Sequence, residues 1–426
     1  LNDDMGVYKK TGGTEQFNFF NMDSIFDFLI NIKMRPFVEL SFMPGDMASG
    51  PDTVFEYKGN ITPPLDCDKW NSLIKKLLVH LKQRYKAGEV SRWYFEVWNE
   101  PNLKNFWTGS KKDYFNLYAE TANTIKDINP DFKVGGPATA KSEWISEFKQ
   151  YCLKNSVPVD FISTHQYPTD SAIGYEGGLE QEIKKSDPDI MKKMAQKAGR
   201  EAGGLPLFYT EWNSSPFSRD EYHDTSYCAS FAAKVICDNI GLVDVYSFWT
   251  FSDIFEEFGF SHIPFHGGFG LLNIYGIPKP VFRTFEILNS MKKERIKVFE
   301  EKKGSKSCGI LATKDKNELK ILCYNHPSPM GNISKEKIIL NIKGNCFKKA
   351  EIERIDKNHC NPRKKWIEMG SPEYLGNKET RDLEKESEIK KEILIGEHKS
   401  GGTRYCFDIP AFGVVGITVN LKSRGN

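Results

Sequence analysis

The first two-thirds of the chain alternates short runs of β-branched and aromatic residues with stretches of helical periodicity, and this alternation restricts the fold more than any other feature. The runs are Pro36–Phe42, Trp93–Trp98, Phe132–Gly136, Asp160–Thr164, Pro206–Thr210 and Asp244–Phe251. Between the first two, Trp70, Leu73, Ile74, Leu77, Leu78 and Leu81 recur at the i, i+3, i+4, i+7, i+8 spacing that lines one buried helix face. Ile25, Phe28, Leu29 and Ile32 repeat the pattern ahead of the first run. Further helices are expected near Lys112–Ile128, Glu143–Leu153, Asp224–Ile240 and Lys279–Met291.

Strands that alternate with helices pair in parallel, because a helix is the usual crossover between them. Six such units can be counted, whereas a closed barrel of this type needs eight strands. An open six-stranded sheet would expose two apolar edges, which natural proteins avoid. The helix around Ser24–Ile32 also has no strand before it to pack upon. The expected fold is therefore α/β, a (β/α)8 TIM barrel over residues 1–291 whose first two strands and one helix lie outside the sequence. A doubly wound open sheet is the competing arrangement, and it is disfavoured because no dinucleotide or phosphate loop is present.

After about Lys292 the pattern changes. Lys297–Glu300, Cys308–Thr313, Leu319–Tyr324, Lys337–Ile342, Ala350–Ile355, Arg404–Asp408 and Gly413–Asn420 read as strands between polar turns, a small antiparallel β-sandwich over 292–426. Glu379–Lys391 is a dense run of mixed charge, expected to be a solvated loop or a short helix.

Charge narrows the choice of partner. Fifty-nine basic and 57 acidic residues leave a net +2, which offers no electrostatic case for nucleic acid or an anionic membrane. No stretch approaches the roughly 20 apolar residues of a membrane span. HExxH, Walker and strand-linked GxGxxG patterns are absent, and the eight histidines have no ligand spacing, so neither a metal nor a cofactor is expected. Nine cysteines without a CxxC fit reduced thiols and a cytoplasmic location. The sequence opens on Leu1 rather than Met, so a signal peptide ahead of it stays an open reading.

Two segments carry chemistry. In WYFEVWNEPN, Trp93–Asn102, the strand ends at Trp98, which puts Asn99 and Glu100 on the loop at its carboxyl end. Loops at that end converge on the catalytic face of β/α barrels. Pro101 restricts the conformations open to Glu100. In LFYTEWNSS, Leu207–Ser215, Glu211 stands at the carboxyl end of another strand. Two carboxylates about 5–5.5 Å apart suit glycoside hydrolysis with retention, one as nucleophile and one as acid/base. Either glutamate alone would be an ordinary salt-bridged carboxylate. Asn-Glu-Pro at one strand end, paired with a second strand-end Glu, favours catalysis.

The chain resembles glycoside hydrolase family 39, and within it the bacterial β-xylosidases rather than the α-L-iduronidases. The likeness runs through LNDDMGVY (1–8), PFVELSFMP (36–44), FEVWNEPNLKNFW (95–107), VGGPA (134–138), PVDFISTHQY (158–167), YTEWNSS (209–215), SFWTFSDIFEE (247–257) and FHGGFGLL (265–272). It implies a β/α barrel with an attached sandwich, and removal of xylose from the non-reducing ends of xylo-oligosaccharides. On that pattern Glu100 is the acid/base and Glu211 the nucleophile, and Asn99 bonds the sugar 2-hydroxyl. His165 and Tyr167 orient the nucleophile or the sugar, Trp249 provides an apolar floor, and Glu256 or Glu257 accepts from hydroxyls. His165 as a satisfied core histidine and Trp249 as packing remain open readings, and His266 in the FHGGFG turn is a weaker candidate. The resemblance also implies a homo-oligomer. An iduronidase-like enzyme and a non-catalytic sugar-binding barrel are the rivals. An iduronidase would carry extra pocket cations, and here Lys104 is the nearest.

Overall fold

A computed structural model describes residues 1–171, 186–187, 189–255, 257, 259–300, 307–327, 333–344, 347–399 and 401–421. A hairpin, β1 (Tyr8–Thr11) and β2 (Thr14–Phe17), leads into α1 (Phe20–Asn31) and β3 (Phe37–Leu40). A shorter hairpin, β4 (Thr53–Val54) and β5 (Gly59–Asn60), precedes α2 (Cys67–Tyr85) and α3 (Ala87–Val90). Next come β6 (Tyr94–Val97), α4 (Lys111–Ile128), β7 (Lys133–Thr139), α5 (Ile145–Lys154) and β8 (Phe161–His165). The series ends with α6 (Ile190–Ala202), β9 (Leu207–Trp212), α7 (Ser226–Asp238), β10 (Val245–Phe248) and α8 (Pro280–Ser290).

The six expected strands form one parallel sheet in the order β10-β9-β8-β7-β6-β3. That order follows the sequence without reversal. Right-handed crossovers then place every connecting helix on the same face, as in a barrel wall and unlike a doubly wound sheet. The doubly wound alternative is therefore excluded. Helix α2 forms as its spacing predicts: the Asp66 side chain caps its first turn, and Trp70, Leu73, Ile74, Leu77, Leu78 and Leu81 are all fully buried. Helix α6 gave no comparable signal, because its buried face is Met191, Ala195, Ala198 and Ala202, mostly too small to mark a stripe.

Helix α1 departs from expectation. It buries Met22 and Phe26, while Ile25, Phe28 and Ile32 of the predicted stripe face water. That stripe lies at the β3 end of the sheet, where β3 has a partner on one side only, as β10 does at the other end.

The C-terminal third contains β11 (Glu294–Ile296), β12 (Cys308–Lys314), β13 (Glu318–Asn325), β14 (Glu336–Lys343) and β15 (Lys349–Ile355). It continues with α9 (Pro362–Glu368), α10 (Asn377–Ser387), β16 (Lys391–Ile395), β17 (Glu397–Lys399), β18 (Gly402–Ile409) and β19 (Val414–Asn420). An antiparallel sheet β11-β12-β13-β19-β15-β16 and a smaller one, β14-β18-β17, share an apolar core. Ile321, Ile352 and Ile417 come from the first sheet, Tyr405 and Phe407 from the second.

Two expectations need correction here. Lys297–Glu300 is not a strand. The chain leaves its ladder at Ile296, opposite Ala312, and the apolar Phe299 that suggested a strand stands in water. The charged run at 379–391 forms the short helix that is one of its two expected readings, but that helix is packed rather than solvated. Leu383 of α10 is fully buried and joins Trp366 of α9 against Phe265 and Ile277 of the loop after β10. Arg283 at the start of α8 also donates to the Ser387 carbonyl at 2.7 Å. The helical insert thus clamps a loop of the parallel-sheet domain. Among the described residues no helix is long and apolar enough to cross a membrane.

Candidate active site

The carboxyl ends of β6, β8 and β9 bring Glu100, His165 and Glu211 onto one spot. His165 Nδ1 lies 3.0 Å from Glu100 Oε1 and 3.6 Å from Glu211 Oε2. One ligand atom from each of the three sits within 4.8 Å of the other two. Glu100 and His165 are buried, and Glu211 is nearly so. Parallel pairing explains the convergence, since His165 registers with Glu211 across the β8–β9 ladder.

Local backbone holds Glu100 in place. Trp98 and Glu100 adopt positive φ of 73° and 44°, a conformation disfavoured for residues with a Cβ and kept only where surroundings enforce it. The enforcing contacts are visible. Glu100 N–H donates to the Ala138 carbonyl at 2.8 Å, and the Asn102 amide both donates to and accepts from the Ala140 backbone. The Trp98 indole donates to the Phe106 carbonyl at 2.9 Å. Asn99, half-buried between these residues, has no hydrogen-bond partner among the described residues and is free to meet a ligand.

Tyr167 donates its hydroxyl to Glu211 Oε1 at 2.6 Å. Its own backbone N–H is bound by Asp170, which also accepts from Gln166. Gln166 and Asp170 were not visible from sequence, because the Tyr-Pro-Thr-Asp turn that unites them has no strand or helix pattern.

Trp249, at the end of β10, is part-exposed, packs edge-on against Phe255 and accepts at its carbonyl from the Asn213 amide. Glu257 lies close enough to the pair that burial and then the charges of Glu211 and Glu100 raise its carboxyl to about 8. Glu256 lies outside the described residues. His266 is not brought to the carboxylates; its Nδ1 faces the Ile263 carbonyl at 2.9 Å. Its Gly-rich turn is instead stapled by a group the sequence reading missed. Lys279 Nζ, fully buried, meets Asp224 at 2.6 Å, Asp253 at 2.7 Å and the Gly268 carbonyl at 2.9 Å. The two aspartates in turn accept from Gly267 and Gly270 N–H.

The electrostatics suit proton handling. Burial pushes Glu211 up, His165 pulls it down, Glu100 raises it again and Tyr167 lowers it, with a net rise to about 7. Burial works against a charge on His165, but the charge of Glu211, the bond to Glu100 and the further charges of Glu100 and Glu96 raise it to about 10. The cluster is compact enough for a divalent ion. In this structure His165 Nδ1 is instead taken up by Glu100 at 3.0 Å and faces Glu211 at 3.6 Å.

A parallel β/α sheet whose strand ends set two carboxylates on either side of a single imidazolium defines the class of glycoside hydrolases that work by paired acids. The family-level match agrees. The model of glycosyl hydrolases family 39 matches residues 1–403, and the chain belongs to that family. A β-xylosidase of Caldicellulosiruptor saccharolyticus is 50% identical over 426 residues, 98% of this chain and 87% of that protein. A β-xylosidase of Geobacillus stearothermophilus is 41% identical over 306 residues, 68% of this chain and 60% of that protein. Among solved structures, a monomeric β-xylosidase from Caulobacter crescentus CB15 superposes with a TM-score of 0.86 at 30% identity, covering 99% of this chain and 88% of that one.

Proposed function

We propose that the protein is a retaining β-xylosidase in which Glu211 is the nucleophile and Glu100 the acid/base. The carrying observation is the pair's spacing: oxygens of both lie within 4.8 Å of each other and of His165 Nδ1. That is close enough for both to reach one anomeric centre, as the short spacing of a retaining pair requires. In the first step a Glu211 oxygen bonds the anomeric carbon, the glycosidic bond breaks, and Glu100 gives its proton to the leaving oxygen. In the second, Glu100 takes a proton from water as the water oxygen bonds the same carbon and Glu211 departs with its electron pair. Tyr167 and His165 stabilise the charge on Glu211 at the start and end of this cycle. Asn99 supplies the amide for the sugar 2-hydroxyl, Trp249 a flat apolar surface, and Glu257 a hydroxyl acceptor.

The same pocket favours a neutral sugar. Glu39, Glu96, Glu100, Glu211 and Glu257 interact with one another there, with His165 as the cation among them and Lys104 exposed on the loop outside. A uronate would add one more carboxylate to a pocket crowded with acids, where His165 is already engaged by Glu100 and Glu211. An aryl β-xyloside is therefore expected to exceed an aryl α-L-iduronide by about 100-fold or more in kcat/KM. Equal rates, or a preference for the iduronide, would reject the assignment. Xyloside binding without turnover would favour a non-catalytic barrel.

We further propose that the sheet belongs to a closed (β/α)8 barrel, with residues 292–426 as an accessory β-sandwich. Free edges at β3 and β10 and the bare stripe on α1 support this reading. In the protein isolated from its natural source, the outward N–H groups of Phe37–Leu40 and Val245–Phe248 should exchange hydrogen slowly. Exchange at the rate of an exposed loop would rule out closure.

A further inference from the structure

Glu96 is a buried acid that the reaction scheme leaves unused, 2% exposed on β6 and four residues before Glu100. Its carboxylate accepts from the Thr210 hydroxyl at 2.8 Å. Thr210 stands on β9, immediately before Glu211, and β7 and β8 lie between β6 and β9 in the sheet. A hydrogen bond between strands so far apart has to cross the concave interior of the sheet. Thr210 can reach because β9 bulges there. Tyr209 pairs with Thr164 and Glu211 with His165, so Thr210 is the extra residue in the ladder. A bulge lets two consecutive side chains turn to the same face, and here one meets Glu96 while the other meets Tyr167.

We propose that Glu96 and Thr210 form a strut across the sheet interior that sets the spacing of the two catalytic strands, with the Glu96 carboxyl held beneath the reacting pair. Glu96 is a positioning residue, since it touches Thr210 and not the sugar. The proposal rests on Glu100 and Glu211 being that pair. The charged and titratable groups facing Glu96 are Glu39 from β3, Tyr114 from α4, His165 from β8 and Glu211 from β9. Of these, only His165 is a cation. Burial pushes the Glu96 carboxyl up, while the charge of His165 and hydrogen bonds from Ser163 and Thr210 pull it down.

Glu96→Gln tests the charge, because an amide oxygen still accepts from Thr210 at nearly the same volume. Removing an anion makes proton loss easier at both Glu211 and His165, which it now helps to raise. The acidic limb of kcat/KM, set by Glu211, should move to lower pH by roughly 0.5–1.5 units. A merely structural role would lower activity and leave that limb in place. Thr210→Val tests the strut: kcat should fall by roughly 10–100-fold with little change in KM, and Thr210→Ser should restore it. Each variant is also treated with a 2-fluoro-xylosyl inactivator and the labelled peptide mapped. Label on Glu211 with an unmoved acidic limb in Glu96→Gln, or with parental kcat in Thr210→Val, overturns the strut alone. Label on another residue overturns the underlying pair. If Glu96→Gln fails to fold, the Thr210 variants decide the question.

Discussion

Glu211→Ala is expected to lower kcat on aryl β-xylosides by on the order of 10⁴-fold or more, about 5.5 kcal/mol of lost transition-state stabilisation, while xylobiose still binds. The size follows from the geometry. Alanine leaves nothing within reach of the anomeric carbon to form the covalent intermediate, and Glu100 cannot replace it, because protonating the leaving oxygen is of little use without an attacking group opposite. Binding should persist because Asn99, Trp249 and Glu257, the groups proposed to hold the sugar, are untouched by the change. Steady-state kinetics and calorimetric titration with xylobiose check both halves. A variant within tenfold of the parent would show that the nucleophile lies elsewhere. One with no residual sugar binding would show that Glu211 mainly holds the pocket together.

The second large effect concerns stability. Lys279→Met removes the amine that Asp224, Asp253 and the Gly268 carbonyl share. All three charged side chains are fully shielded from water. Each aspartate keeps one backbone N–H donor, from Gly267 or Gly270, but two carboxylates would then be buried together without a cation. Breaking such a cluster by removing one partner costs about 3–5 kcal/mol, so Tm should fall by roughly 6–20 °C at a few degrees per kcal/mol. Neutralising the aspartates as well, in Lys279→Met/Asp224→Asn/Asp253→Asn, should recover much of the loss, since the penalty comes from uncompensated charge rather than from missing volume. An unchanged Tm in the single variant, measured calorimetrically, would show that water reaches the cluster. The effect should extend to function, because the cluster ties down the loop between Trp249 and the Gly-rich turn.

Legibility in the sequence varied with the kind of signal. The six parallel strands were readable because strands covered by helices must alternate with them. Helix α2 was readable because its buried face consists of large apolar residues at helical spacing. Helix α6 was not, since alanines form its buried face, and the charged run of α10 concealed a single buried leucine. The apolar stripe of α1 does lie on a helix, but Ile25, Phe28 and Ile32 of it face water while Met22 and Phe26 are buried. Glu100 and Glu211 stood out because each ends a strand inside a polar motif. Glu96 and Thr210 did not, because an acid and a threonine inside strands look like any other residues until strands β6 and β9 are set across one cavity.

Local order along the chain therefore determined which segments are strands and helices, and which two acids sit at strand ends. These follow from periodicity and backbone preference within some ten residues. Only the tertiary structure decided that His165 lies between those acids, that Tyr167 grips one of them, and that Lys279 neutralises a pair of aspartates from two other loops. Such contacts join residues tens of positions apart, through Coulomb and hydrogen-bond terms that depend on distance in space and leave no periodic trace along the chain.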